Sequence, residues 1–265
     1  MTDRFMMNLD QSIEEICDIL EASSYVVFLG GAGVSTESGI PDFRSKNGLY
    51  HKKGKRFSAF RPEYLLSSEC LRKKSAVFFE YYRENLDARN VQPNAAHYAL
   101  AAMERAGKLE GIITQNIDGL HQKAGSKNVQ EIHGTIWENH CISCGKAYDV
   151  NYIFDSKEEI PHCAECGKMV RPDVTLYGEM LPGRAYDNAI GMIRMADCLI
   201  IGGTSLEVGS AAQLAHMDHG KSLIIINKSK TRMEGKADVV VHDSIGTVLS
   251  GVTDLMGIGE RTSYK

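Results

Sequence analysis

Four cysteines fall in two pairs, Cys141-x-x-Cys144 and Cys163-x-x-Cys166, with eighteen residues between the pairs. A Cys-x-x-Cys turn lets two thiolates reach one ion, and two such turns complete a tetrahedral set with no position left for water. The spacing therefore predicts one structural zinc ion held by Cys141, Cys144, Cys163 and Cys166 in a zinc ribbon. Gly145 and Gly167 directly follow the pairs, where a knuckle needs a permissive backbone. His140 and His162 adjoin ligand cysteines, but four thiolates already suffice. Two disulfides or a redox dithiol are the competing uses. The start, MTDRFMMNLDQ, lacks an apolar core and a small-residue cleavage site, so a reducing compartment is expected and stable disulfides are disfavoured. Cys198 in an apolar run and Cys17 on a helix face read as buried thiols.

Upstream, the stretch GAGVSTESGIPDFRS runs from Gly31 to Ser45. A strand that opens into closely spaced glycines suits backbone amides presented to phosphates. Gly31-x-Gly33 supplies two glycines of a dinucleotide fingerprint, but Thr36 stands where the third belongs and no acidic residue ends a clear second strand. Alone, this does not define a site. Further on stand Thr114-Gln115-Asn116-Ile117-Asp118-Gly119-Leu120-His121 and Glu131-Ile132-His133-Gly134. Asn116 and Asp118 are also suited to cap a short helix reaching Ala124, Phe43 to fill a core, and a lone His133 to satisfy a strand end.

The elements that must position these residues follow from periodicity. Leu9, Ile13, Ile16, Cys17 and Leu20 share one helical stripe, with Asn8 and Gln11 placed to cap its start. Tyr25 to Leu29, Gly111 to Thr114, Leu199 to Ile201 and Leu223 to Ile226 are compact aliphatic runs. Several end in polar tips, Gly203-Thr204-Ser205 and Asn227 among them. Strands without alternation are buried on both faces, which predicts an α/β fold, a Rossmann-like parallel sheet with helices on both sides. Asn94 is expected to cap a helix that Gly107 ends, and Asp243 or Ser244 to cap the last one. Ligands of such sheets sit beyond the carboxyl ends of the strands, where these polar tips collect.

Composition sets the outer limits. The 265 residues, 43% of them hydrophobic, suffice for a sizeable core. No run approaches the roughly 18 apolar residues of a membrane span, and a cytoplasmic, soluble protein is expected. A net charge of −4 gives no bulk attraction to nucleic acid or anionic lipid. The basic cluster Lys52, Lys53, Lys55, Arg56 and Arg61 reads as a solvated loop.

Taken together, the Gly31–Ser45 stretch, the Thr114–His121 and Glu131–Gly134 motifs, the Gly203–Ser205 tip, Asn227 and the cysteine pairs resemble the sirtuins, NAD-dependent protein lysine deacylases, in that family's order. The resemblance implies NAD as co-substrate and acyl-lysine proteins or peptides, bound as an extended strand, as partners. It also implies removal of acetyl or other neutral acyl groups, with release of nicotinamide and O-acyl-ADP-ribose. His133 matches the family's general base on a ribose hydroxyl; imidazole suits this because it titrates near neutral pH. Asn116, the second catalytic candidate, and Gln115 match groups that orient the ribose and a water. Asp118 and Ile117 match the nicotinamide pocket, and Phe43 the aromatic that shields the reactive carbon from water. Ala32, Gly33, Thr36, Arg44, Thr204 and Ser205 match cofactor contacts, Asn227 matches the contact to the adenosine ribose, and Asp243 is a further cofactor-binding candidate.

Departures from the family pattern are specific. Gly209-Ser210 stands near the position where many relatives place a proline, and Thr175 replaces a commonly aliphatic residue beside the substrate. Desuccinylating members carry a tyrosine and an arginine where this chain aligns Phe79 and Tyr82, so acidic acyl groups are disfavoured; a slip of one residue would substitute Arg83 for Tyr82. The expected organisation is a Rossmann-like domain of residues 1–44, 93–133 and 177–265. A small domain of 45–92 and 134–176 would combine a helical module with the ribbon. Residues between Arg44 and Arg56 are candidates for ordering on cofactor binding. The alternatives are mono-ADP-ribosyl transfer at the same site, or a zinc-ribbon binding module; the acidic balance argues against nucleic acid.

Overall fold

The computed structural model describes residues 8–43, 45, 48–49, 55–207, 209–217 and 222–258. In chain order its strands are β1 (Val26–Gly30), β2 (Gly111–Thr114), β3 (Val129–Glu131), β4 (Gly134–Cys141), β5 (Ala147–Asp149), β6 (Val170–Val174), β7 (Cys198–Gly202), β8 (Ser222–Ile226) and β9 (Val239–Val241). The helices are α1 (Leu9–Ala22), α2 (Pro62–Leu65), α3 (Ser68–Lys73), α4 (Ser75–Asn85), α5 (Ala95–Arg105), α6 (Leu120–Ala124), α7 (Asn151–Phe154), α8 (Gly183–Met195), α9 (Gly209–His216) and α10 (Ile245–Leu255).

Six strands form one parallel sheet in the order β3-β2-β1-β7-β8-β9. Alternate residues of each strand feed opposite faces. Phe28, Ile112, Ile200 and Ile224 pack under α1, α5 and α10, while Val27, Leu29, Ile113, Leu199, Ile201 and Ile225 pack under α8 and α9. Both faces are therefore covered, which is why these runs lack polar alternation. The chain leaves β1 for β2 on one side and reaches β7 on the other, so the crevice beyond the β1 and β7 tips is the topological switch point.

The helix ends follow the expected capping chemistry. Gln11 N donates to Asn8 Oδ1 at 2.8 Å and Asn8 N to Gln11 Oε1 at 3.2 Å, a reciprocal box at the start of α1. Asn94 caps α5 by accepting from Ala96 N, and its amide donates to Val34 O and Ser38 Oγ, tying α5 to the glycine-rich loop. Ser244, not Asp243, is the cap of α10.

A second, three-stranded antiparallel sheet, β5-β4-β6, carries the cysteine pairs at one end. Beside it α2, α3 and α4 share an aromatic core in which Phe78, Phe79, Tyr81 and Tyr82 are buried with Ile136, Ile153 and Val174; Phe43 packs on its edge. Arg83 donates from Nε to Ile153 O (2.8 Å) and from its other nitrogens to the carbonyls of Glu158 and Glu159, so it fastens α4 to the ribbon side. Arg89 binds Asp87, Asn151 and Asp155 and stacks over Phe154. No helix among the described residues is long and apolar enough to cross a membrane.

Candidate active site and metal centre

The cysteine centre is built from two matching turns. Gly145 N donates to Cys141 O and Gly167 N to Cys163 O, and both glycines take a left-handed φ, +71° and +69°. These turns place the four Sγ atoms within 4.8 Å of one another, with Cys141–Cys166, Cys144–Cys163 and Cys144–Cys166 at 3.3, 3.5 and 3.6 Å. A tetrahedral zinc with Zn–S near 2.3 Å requires S···S edges of about 3.8 Å, so the set fits the ion. Amides of Ser143 and Glu165 donate to Cys141 and Cys163 Sγ, and the Tyr148 hydroxyl donates to Cys163 at 3.1 Å, pulling that thiol down to about 6. His140 is engaged by Asp173 and His162 by Glu158. Cys17, Cys70 and Cys198 are separate and buried.

The second site is a cleft of about 710 Å³ beyond the sheet's carboxyl edge, facing the aromatic core of the small sheet. This volume is that of a ligand-binding cleft. Its lining includes residues following β1 (Ala32, Gly33, Thr36, Phe43), β2 (Gln115 to Asp118), β3 (His133), β7 (Thr204, Ser205) and β8 (Asn227), together with Asp243. Every cofactor candidate named from sequence is thus in one cleft except Arg44, which lies outside the described residues, as do Lys52 and Lys53 and most of the Arg44–Arg56 segment.

The glycine-rich loop does something other than the expected display of amides. Gly31 N donates to Gly202 O and Gly33 N to Gly203 O at 2.8 Å, so both amides are consumed between the β1 and β7 tips. A Cβ on Gly33 would lie 2.7 Å from Gly203 Cα, and one on Gly31 2.8 Å from Thr204 Cβ. What these glycines supply is a close approach of two strand tips, which in turn brings Gln115 Nε2 within 2.9 Å of Thr204 Oγ1.

His133 is held at the rim of this cleft. Ile132 N donates to Thr114 O and Thr175 N to His133 O, which locks the segment between β2 and the residue that follows β6. His133 Nδ1 lies 3.0 Å from Gln115 O. A carbonyl only accepts, so Nδ1 carries the proton in the neutral ring and Nε2 keeps its lone pair. Burial holds the imidazole below its ordinary range, with the Gln115 bond opposing the shift, so the ring is neutral at pH 7.

Next to it, Asn116 Nδ2 donates to Ser35 Oγ at 3.0 Å, and Ser35 Oγ donates to Asp118 Oδ2 at 2.7 Å. Asp118 Oδ1 accepts from Leu120 N, so the carboxylate also caps α6. Burial raises Asp118, and the Leu120 and Ser35 donors counter it. Trp137 Nε1 donates to Asp118 O and Ile136 N to Ile117 O, pinning the loop to β4. Ser35 was not distinguished from its loop in the sequence; its role arises from a contact spanning 83 residues.

A crevice at the switch point of a parallel sheet covered on both faces, in a chain that also carries a tetrathiolate ribbon, defines a class of α/β protein with a nucleotide-type cleft and a structural metal module. The comparisons with known proteins are more specific. The Sir2 family profile matches residues 31–210. A Clostridium acetobutylicum NAD-dependent protein deacetylase is 51% identical over 247 residues, 93% of this chain and 100% of that protein. One from Fusobacterium nucleatum is 43% identical over 92% of each chain. A solved Sir2 structure with a deacetylated p53 peptide and 3′-O-acetyl-ADP-ribose superposes with a TM-score of 0.86 at 34% identity, covering 92% of this chain and 98% of that one. A Sir2–p53 peptide–NAD⁺ structure gives 0.83 at 34% identity, over 93% and 99%. The chain belongs to the Sir2 family.

Proposed function

We propose that this cleft performs NAD-dependent removal of acetyl groups from protein lysines, with His133 as the base. The chain is an NAD-dependent protein deacetylase, as its relatives are named, and its four-thiolate set fits one structural zinc. The observation that carries the catalytic reading is the fixed tautomer of His133, whose Nδ1 is committed to Gln115 O while Nε2 is left able to accept a proton.

NAD, when bound, supplies a ribose carbon from which nicotinamide leaves and to which the acyl group's oxygen can join. His133 Nε2 takes the proton of a ribose hydroxyl. Asn116, oriented by Ser35, and Gln115, oriented by Thr204, position the ribose and a water. Asp118 accepts from the carboxamide, Ile117 walls the ring, and Phe43 excludes water from the reacting carbon. Ala32, Thr36, Thr204 and Ser205 would contact the cofactor directly, Gly33 through the closeness it permits, Asn227 at the adenosine ribose and Asp243 elsewhere along the cleft; Arg44 joins this set by motif alone.

Acyl-lysine partners are read as peptides lying along Thr175–Gly178, which line the cleft opposite the sheet. A solved Sir2 structure holds a propionylated peptide, and another an acetylated one. Neutral acyl groups suit a chain in which Arg83 is tied to three backbone carbonyls, leaving that guanidinium unable to pair with an acidic acyl group. On a division into residues 1–44, 93–133 and 177–265 against 45–92 and 134–176, NAD and acyl-lysine would meet between the two parts.

The test is stoichiometry. Nicotinamide, deacetylated peptide and O-acetyl-ADP-ribose are expected in equal amounts. Labelled ADP-ribose appearing on a protein without acyl-lysine would instead favour ADP-ribosyl transfer.

A further inference from the structure

The Nε2 lone pair of His133 has a partner that the reaction above does not use. Ser210 Oγ, the second residue of α9, lies 3.3 Å from Nε2, and Ser210 lines the same cleft. The helix start that carries it is approached from the other side by the Tyr186 hydroxyl on α8, whose one proton is shared between Ser210 O at 3.5 Å and Gln213 Oε1 at 3.3 Å. This is the Gly209-Ser210 departure noted in the sequence; a proline at 210 would carry no hydroxyl.

We propose that Ser210 is a positioning residue for His133: its hydroxyl holds Nε2 in both protonation states of the free enzyme and yields that place to the ribose hydroxyl when NAD enters. Because Nδ1 carries the proton in the neutral ring, Nε2 accepts and Ser210 donates. Once Nε2 is protonated, the hydroxyl rotates and accepts, since a serine oxygen does both. With Gln115 O on one nitrogen and Ser210 Oγ on the other, the ring is fixed at both ends. No net proton is gained or lost by the serine in either state.

The two bonds differ in strength. A hydrogen bond from an imidazolium exceeds one to a neutral imidazole, so Ser210 favours the charged ring and partly offsets burial. The charged groups on the surrounding elements are Asp118, Glu131, Asp173, Arg184, Asp187 and Glu207. Asp118 is bound by Ser35 and Asp173 by His140; Glu131 is buried, which raises its carboxyl, and its Oε1 has no partner among the described residues; the other three are exposed. The causes that shift His133 are burial and the Gln115 bond.

The proposal rests on His133 being the base, and the two are tested separately. Nitrogen-15 NMR of the zinc-loaded protein follows His133 through its titration without any turnover. Ser210→Ala should lower the midpoint by about 0.5–1 pH unit and Ser210→Thr should restore it. The acid limb of kcat/KM for NAD should move with it, and kcat/KM at pH 7.5 should fall by about 3–10-fold in Ser210→Ala alone, on the scale of one lost hydrogen bond. A midpoint that stays in place or rises, or a threonine variant that behaves as alanine, overturns the proposal. Retained activity in His133→Ala would overturn the base itself, whatever Ser210 does.

Discussion

Substituting Gly33 by alanine tests the claim that the glycines act by letting two strand tips touch. The added Cβ would sit 2.7 Å from Gly203 Cα and 2.8 Å from Gly203 O. Carbon atoms rest at about 3.5–4.0 Å, so the β1 and β7 tips must part by about 1 Å. Both contacts are backbone, which cannot swing aside. Overpacking of this kind costs about 1–3 kcal/mol, and stretching the 2.8 Å bond from Gly33 N to Gly203 O adds about 1 kcal/mol. For a domain of this size, at about 2 °C per kcal/mol, the total of about 2–4 kcal/mol corresponds to a fall in Tm of roughly 4–8 °C. Because Gln115 reaches Thr204 across the same junction, the displacement carries into the cleft, where an error near 1 Å costs on the order of 100-fold in rate. Thermal unfolding and kcat/KM for NAD, measured with zinc content as a control, check both effects. Unchanged Tm and kcat/KM would refute the contact argument, and loss of zinc would show that the damage had spread beyond the junction.

Cys141→Ser should abolish stoichiometric zinc by elemental analysis and expose the small sheet to protease, since three thiolates leave the tetrahedron open; full zinc retention would contradict the ligand set. A third prediction concerns the buried histidine pair, His97 and His121, whose ring centroids are 4.8 Å apart. Burial holds His97 at about 4 and His121 well below 6.5, the latter aided by His97. Their folded pKa values lie below the unfolded ones, so the stability they permit is present above about pH 6.5 and is lost as pH falls toward 4, about 3 kcal/mol for His97 by the linkage relation. Glu131, pushed up to about 7 by burial, runs the other way. Both ring nitrogens of His121 are buried with no partner among the described residues, so His121→Met should gain stability relative to the wild type as pH drops from 7 to 5. Parallel Tm-against-pH curves would contradict it.

Much of the frame is legible in the chain because burial on both faces writes itself as uninterrupted aliphatic runs: β1, β2, β7 and β8 all lie within a residue of where those runs predict. The three-residue strands β3 and β9 carry too few residues for a pattern to register. The cysteine centre is legible because its ligands lie in two local turns. Ser35 is different: nothing local separates it from Ser38 in the same loop, and only folding brings it between Asn116 and Asp118. The close approach at Gly33 is not legible for a related reason, since an amide's partner depends on which strand tip folds beside it. Arg83 shows the converse: the sequence leaves its side chain unassigned, and the fold commits its guanidinium to the carbonyls of Ile153, Glu158 and Glu159.

The central claim is that the imidazole at 133 moves a ribose proton in a cleft shared by NAD and acyl-lysine. Its most direct test is nicotinamide release from NAD, with and without an acetyl-lysine peptide, in the wild type and in His133→Ala. The expected result is release that depends on the peptide and loss of peptide deacetylation by about 100-fold or more in the variant, with Tm and zinc content retained. Deacetylation that persists at the wild-type rate in His133→Ala, or nicotinamide release indifferent to acetyl-lysine, would contradict it.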